Sequence, residues 1–364
     1  MDFPLRAKRV KLKLAAGGPH LPVRPESRVR QIAGRACHEL IAAAITADAE
    51  FWPYLPAMDV IVVNHSGGKD SSVALHELVT LARRLGLLDR VVVLHNDLGR
   101  VEWPSTAELD AQHADYYRRR FGATLVELFG DRPSARGIAE AQAARYGLPF
   151  FVRSRTGGDL LQQIEQYGKF PDAANRHCTS EQKRAPKFRL FTELVQGLSY
   201  LGRKVRILDV NGERAEESTA RAKKPAVEHN RMASNKTKRE VFTWRIVHHW
   251  TLADVWACHE AHDLDAHWAY AFMSRLSCSI CILGAVLDVT WACAFRPDLA
   301  DDIAALEARI QHLFKNKRSI IWYIAEAVQL GRAELETRMA ERQAERSTPV
   351  APCQEDLVKL AGAL

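Results

Sequence analysis

The chain has 364 residues, 47% of them apolar and 26% charged, the proportions of an ordinary globular protein long enough for one large domain with an appendage. Lys and Arg outnumber Asp and Glu by 51 to 44, a net charge of +7, which favours polyanionic partners, nucleotides or nucleic acid, and says nothing about fold. No apolar run approaches the ~18–20 residues of a membrane span, the basic start lacks an apolar signal core, which implies a cytoplasmic protein, and seven Cys, an odd number, read as reduced thiols, metal ligands or reactive groups rather than a disulfide framework.

Residues 1–55 divide into a basic arm (Arg6, Lys8, Arg9, Lys11 and Lys13 beside Gly and Pro), a helix rich in Ala and Ile at 28–49, and the break FWPYLP. The β-branched run at 60–63 is too short for a helix and typical of a strand buried on both faces. A polar Gly loop, NHSGGKDSS, and a helix at 72–85 follow. A second β-branched run at 91–94 leads into HNDLG. The alternation continues with a helix at 106–120, a strand at 124–128, a mostly helical middle and a strand at 204–210, then a long polar loop. This is α/β order. It predicts a Rossmann-like parallel sheet with helices on both faces over 56–260, and a helical C-terminal region over 261–364. Ligands of such sheets bind beyond the strand C-termini, where HSGGKDSS, HNDLG and NGERAEES all fall.

The segment Ser66-Gly67-Gly68-Lys69-Asp70-Ser71-Ser72 carries the strongest chemistry. Adjacent glycines let backbone N–H groups approach a phosphate, and the next helix points its positive end at the same anion. Ser66, Ser71 and Ser72 offer hydroxyls, and Lys69 a point charge. Asp70 suits a helix cap or a place beside Mg²⁺ rather than a phosphate contact. The loop is not a Walker A: Val63 stands where the first Gly is needed, and Asp70 follows the Lys.

SGGKDSS after a buried strand resembles the pyrophosphate loop of N-type ATP pyrophosphatases, which cleave ATP between the α and β phosphates and adenylate an acceptor. Further motifs resemble the PAPS-reductase-like branch: HNDLG, Arg176-His-Cys-Thr with Lys183, Gly212-Glu-Arg-Ala-Glu-Glu-Ser with Arg221, and Trp250-Thr-Leu-Ala-Asp-Val-Trp256. The resemblance spans about residues 58–315 and implies the HUP-type version of the fold. It implies that Ser66 to Ser72 hold the triphosphate, with Lys69, Asp70, Lys183 and Arg214 catalytic. It also implies that His95, Asn96 and Asp97 contact adenosine or the acceptor, and that Arg176, Lys183, Arg214 and Arg221 balance charge on pyrophosphate or the acceptor phosphate. Converging cations suit adenylyl transfer, which relies chiefly on positioning and charge stabilisation.

Cys278-Ser-Ile-Cys281 has the spacing that lets two thiolates grip one metal or cluster. With Cys178, and Cys293 as a possible fourth ligand, it is read as a [4Fe–4S] site, as several sulfur-inserting relatives hold a cluster by three Cys. A zinc site, redox-active or persulfide-carrying thiols, and buried thiols stay open. Cys258 reads as a core thiol in an amphipathic helix; Cys37 and Cys353 have no supporting neighbours. The chain departs from the reductases: its tail reads Ala351-Pro-Cys353-Gln-Glu where thioredoxin-dependent members carry Glu-Cys-Gly-(Ile/Leu)-His. His177 precedes Cys178 where cluster-bearing APS reductases have a tandem Cys-Cys.

Residues 214–239 hold eight Lys or Arg against three Asp or Glu, a local net of +5. Lys183, Arg184, Lys187 and Arg189 add a second basic segment, so a track for nucleic-acid backbone is expected. Combined with the ATP loop and the Cys group, this most resembles the PAPS-reductase-like component of bacterial DNA phosphorothioation systems (Dnd C-subunit or Ssp D-subunit type). The implied partners are DNA, a cysteine desulfurase as sulfur donor and other phosphorothioation proteins. The alternatives are a sulfonucleotide (APS/PAPS) reductase and a tRNA thiolase.

Overall fold

The computed structural model describes residues 52–346. The basic arm, the helix at 28–49, Cys37 and the tail around Cys353 lie outside the described residues. The β-branched runs become β1 (Val60–Asn64) and β2 (Val91–Asp97), joined by α1 (Lys69–Arg84). Then come α2 (Thr106–Phe121), α3 (Leu125–Phe129), α4 (Ala135–Arg145), β3 (Phe150–Ser154), α5 (Leu160–Tyr167), α6 (Ala185–Gly197) and β4 (Val205–Val210). β5 (Val227–His229) and β6 (Arg239–Trp244) complete a six-stranded sheet of order β3-β2-β1-β4-β6-β5. All pairings are parallel except β5 with β6. The fold is therefore the expected Rossmann-like sheet.

β1 shows why its sequence is apolar without alternation. Ile61 and Val63 pack on one face with Leu75, Leu78 and Val79 of α1, while Val60 and Val62 pack on the other with Leu190, Phe191 and Leu194 of α6. Both faces of the strand are covered, so both residue sets must be apolar. From β1 the chain winds outward to β2 and β3, then returns to place β4 on the other side of β1. That reversal opens a crevice beyond the C-terminal ends of β1 and β4.

α7 (Leu252–Ala261) follows β6, and the helical C-terminal region beyond it contains α8 (Val286–Phe295), α9 (Pro297–Ile310), α10 (Ile320–Val328) and α11 (Arg332–Arg346). Its aromatic residues do not form a core of their own. Phe295 stacks on Phe121 of α2 at 4.9 Å between ring centres and on Phe272 at 4.3 Å, and Trp268 meets Trp103 edge-on. One apolar cluster thus spans both sides of residue 260. No helix among the described residues is long and apolar enough to cross a membrane.

Two local expectations are corrected. Residues 124–128 are not a strand: Thr124 accepts from the Glu127 N–H and Glu127 accepts from the Thr124 N–H, a reciprocal cap that starts α3, and Asp110 accepts from the N–H groups of Leu125 and Val126. Four satisfied end N–H groups outweigh the strand preference of Thr and Val. The polar loop after β4 likewise contains β5 and β6, and the successive residues Val241 and Phe242 of β6 reach opposite core layers.

Candidate active site

The turn from β1 to α1 depends on its glycines. Gly67 has φ +74°, and a Cβ there would lie 2.2 Å from the Ala135 carbonyl oxygen. A Cβ on Gly212, in the loop after β4, would lie 2.5 Å from the Asp70 carbonyl oxygen and 2.8 Å from the Ser71 nitrogen. The two loops therefore touch through backbone, which fixes the mouth of the crevice at the start of α1. Ser66 is exposed at its rim. The hydroxyls of Ser71 and Ser72 turn inward and donate to the Gly68 carbonyl at 2.7 and 3.3 Å.

Behind the loop lies a buried charge cluster. Asp70 accepts from Lys69 Nζ at 2.7 Å and from Arg214 Nε at 2.6 Å. Burial alone would raise the Asp70 carboxyl; the charges and hydrogen bonds of Lys69 and Arg214 outweigh it and hold the group below the usual carboxylate range. Arg214 also bonds Glu216 and the Trp250 carbonyl. Glu216 in turn accepts from the Leu252 N–H that opens α7. The Trp250-to-Trp256 motif thus buttresses the loop from behind, and His259 Nε2 reaches the Lys69 carbonyl at 3.0 Å.

The crevice has a volume of about 980 Å³ and is lined by nine Lys or Arg against six Asp or Glu. Every lining carboxylate has a cationic partner. Asp209 holds Lys187 at 2.7 Å, Glu217 holds Arg221, Glu228 holds Arg245, and Glu102 holds His95. Glu213 holds Lys224 at 2.9 Å and Arg245 at 3.1 Å; burial works against its charge, yet these cations pull its pKa down to about 2. Asp70, the acidic residue of the loop, has both oxygens engaged by cations. Arg176, Lys183, Arg184, Arg231 and Arg275 face the crevice with no carboxylate partner among the described residues. Such a surplus of unpaired cations suits a polyanion.

Of the residues proposed along β2, His95 lies buried between the His65 carbonyl (Nδ1, 2.8 Å) and Glu102 (Nε2, 3.0 Å). It lines the crevice with both ring nitrogens engaged. Asn96 lines the crevice, and its Oδ1 is buried with no hydrogen-bond partner. Asp97 lies outside the lining and accepts from the Gly99 N–H at 2.8 Å. From the basic stretch at 214–239, Arg221, Lys224 and Arg231 line the crevice. Lys223, Lys236 and Lys238 are exposed outside it, and Arg239 is bound to the Ala233 and Phe188 carbonyls.

The thiols divide three and one. Cys278 and Cys281 share a thiol hydrogen bond, and Cys178 and Lys183 act on Cys278 electrostatically. The Cys278 S–H, acting against burial, together with the Leu283 N–H, the Ser277 hydroxyl and Arg275, pulls the Cys281 thiol down, while the same bond and burial push Cys278 up. Thr179, Lys183, Arg275 and Ser277 beside them all line the crevice. Cys293 is elsewhere, buried in the aromatic core, where desolvation pushes its thiol up to about 12. Among the described residues no group of three or more His, Cys, Asp or Glu is disposed to hold a metal ion. The expected cluster on Cys178, Cys278 and Cys281 is therefore not supported by this arrangement, and α8 turns Cys293, its possible fourth ligand, into the aromatic core. Cys258 is the expected core thiol, fully buried beside Val73 and Val255.

No family model matches the chain, and no curated protein matches it. Solved structures of Candida glabrata FMN adenylyltransferase are similar to it. The complex with FAD and inorganic pyrophosphate is 13% identical over 71% of this chain and 68% of that one, with a TM-score of 0.36. The complex with FMN and the ATP analog AMPCPP is 14% identical over 94% and 86%, with a TM-score of 0.35. At this level of likeness neither bears on what the crevice binds.

Proposed function

We propose that this chain is an ATP pyrophosphatase that adenylates an acceptor phosphate, releasing pyrophosphate, and that the acceptor is the DNA backbone on its way to phosphorothioation. The observation that carries the reading is the glycine turn at the start of α1, held against Gly212 at the sheet's switch point and faced by cations without carboxylate partners. The triphosphate sits over Ser66 to Asp70. Arg176 and Lys183 face the leaving pyrophosphate, and Arg184 and Arg231 face the backbone of the acceptor. Mg²⁺ enters as the counterion of the nucleotide, part of the substrate. The thiols beside Lys183 stand where sulfur would be handed to the activated phosphate, with a cysteine desulfurase as its source and other phosphorothioation proteins as partners.

The test is product analysis. Incubation with ATP and Mg²⁺ yields AMP and pyrophosphate, and duplex DNA raises the turnover. ADP and orthophosphate as products would overturn the adenylating chemistry. Turnover of a sulfonucleotide to sulfite, with no response to DNA, would move the acceptor to a small molecule.

A further inference from the structure

The phosphate loop contains one polar group that arrives from the helical C-terminal region. Tyr270 is buried, yet it borders the crevice beside Gly68. Its hydroxyl oxygen accepts the Lys69 N–H at 3.0 Å, capping the first free amide of α1, and the Leu276 N–H is a second donor to it. Its ring lies 5.4 Å from Lys69 Nζ, a cation–π distance. A Cβ on Gly68 would stand 3.2 Å from that hydroxyl, so the second glycine keeps the space in front of it open.

A phenol oxygen that accepts hydrogen bonds still has its own hydrogen to donate. Among the described residues nothing accepts the Tyr270 O–H, although a buried tyrosine hydroxyl ordinarily finds a partner. Burial raises the phenol's pKa far above neutrality, so the proton stays in place. The tyrosine is also held rigidly: its carbonyl accepts from Arg346 at the end of α11, and its ring meets Trp256 edge-on. A donor of fixed position and no acceptor, facing the space that a phosphate would fill, needs only the phosphate.

We infer that Tyr270 is a phosphate-binding residue, donating its O–H to a phosphate oxygen of the nucleotide while the Lys69 N–H polarises it from behind. This rests on the proposed nucleotide site and adds to it a ligand from the far end of the chain. The helix start then acts on the anion through one hydroxyl relay, N–H to O–H to phosphate, as well as through its free amides.

The test is Tyr270→Phe in the full chain, which keeps the ring, its packing and the cation–π contact and removes only the hydroxyl. Binding of inorganic pyrophosphate and of adenosine is measured separately by calorimetry, with a thermal melt of each protein. The expected result is pyrophosphate binding weakened at least about tenfold, the scale of one hydrogen bond to a charged group, with adenosine binding unchanged. Equal pyrophosphate affinity in both proteins would overturn the inference, and so would equal weakening of both ligands. If the wild-type protein bound neither ligand, the nucleotide site itself would fall. A second measurement does not depend on the variant's folding: in the wild type labelled with ¹³Cζ-tyrosine, pyrophosphate shifts one tyrosine ζ-carbon resonance and adenosine shifts none. No shift with pyrophosphate would also overturn the inference.

Discussion

The Nδ1 of His95 stands 2.8 Å from the carbonyl oxygen of His65, and the two rings are held in opposite protonation states. Both nitrogens of His95 face acceptors, the His65 carbonyl and Glu102, so both must carry hydrogen; burial opposes the charge, but Glu102 wins and raises the pKa. His65 is fixed the other way. Its Nδ1 accepts the Gly67 N–H at 3.0 Å and its Nε2 meets Gln142 Oε1 at 2.7 Å. Gln142 is oriented because its amide donates to the Ser72 carbonyl. Burial, against the Gln142 bond, drops His65 to about 4.

This gives a pH dependence with a definite sign. In the unfolded chain His65 and His267 bind protons near pH 6.5, whereas in the folded protein burial lowers them to about 4 and about 3. Stability therefore falls as pH drops below about 6.5 and levels off only below those folded values. At pH 5 each contributes a loss of about 2 kcal/mol. His95, with its raised pKa, runs the opposite way: its contribution is full below pH 6.5 and fades as pH rises through the folded value. Urea unfolding at pH 7 and pH 5 should show a net loss on acidification. His267→Gln should flatten the slope, and an unchanged slope would contradict the buried neutral assignment.

Gly67→Ala tests the turn. The left-handed φ costs a residue with a Cβ about 1–2 kcal/mol, and contact with the Ala135 carbonyl adds to it. Melting temperature and ATP cleavage should both fall. Gly86→Ala, equally left-handed but with open space around its Cβ, should lose stability alone.

Asp70→Asn leaves Lys69 and Arg214 as buried cations without their shared counter-charge. Breaking a buried pair from one side costs about 3–5 kcal/mol. Adding Arg214→Met should recover part of the stability and none of the activity. Chemical denaturation of the single and double variants measures the coupling.

The thiols should differ in reactivity. With Cys281 held down by its hydrogen-bond donors and Cys178, Cys278 and Cys293 pushed up, iodoacetamide at pH 6.5 should modify Cys281 first. Mass spectrometry locates the adduct, and Cys281→Ser should abolish the fast phase. Protein isolated without oxygen that carried stoichiometric iron and resisted alkylation would return these thiols to a cluster.

Arg184 and Arg231 separate the crevice from the rest of the basic surface. Reversing both charges should weaken duplex DNA binding and flatten its log–log salt dependence by about 0.9 for each phosphate the protein no longer neutralises. Lys236→Glu with Lys238→Glu, outside the crevice lining, should change it less. Fluorescence anisotropy over a salt series distinguishes the two pairs. Equal effects would place the DNA on the outer loop.

The sheet and the glycine turn are legible in the sequence because the forces that shape them are local. A strand covered on both faces must be apolar throughout, as at Val60 to Val63, and a close backbone approach requires glycine, as at Gly67. Thr124 misleads because its neighbours favour a strand, although the Thr-x-x-Glu signature of a helix start is present at Thr124 and Glu127. β5 and β6 are hidden among charges because β5 lies at the sheet's edge, where polar residues are tolerated. Cys293 has a suggestive spacing, but spacing does not reveal which way a helix turns. His65, Glu102 and Gln142 set the loop's protonation without forming a motif, and Tyr270 has no local signal at all.

The shared core and the Tyr270 cap also set a timetable. The amide that Tyr270 caps belongs to a residue made 201 positions earlier, and His259, which supports the same residue, comes 190 positions after it. While the chain is being synthesised, β1 and its glycine turn leave the ribosome long before either partner exists. The region that supplies Tyr270 shares its aromatic core with α2. Contacts of such long range close slowly and late. A ribosome-bound chain ending before residue 268 would hold a complete set of strands and lack the Tyr270 cap, so the glycine turn gains that cap only after every strand of the sheet has been made.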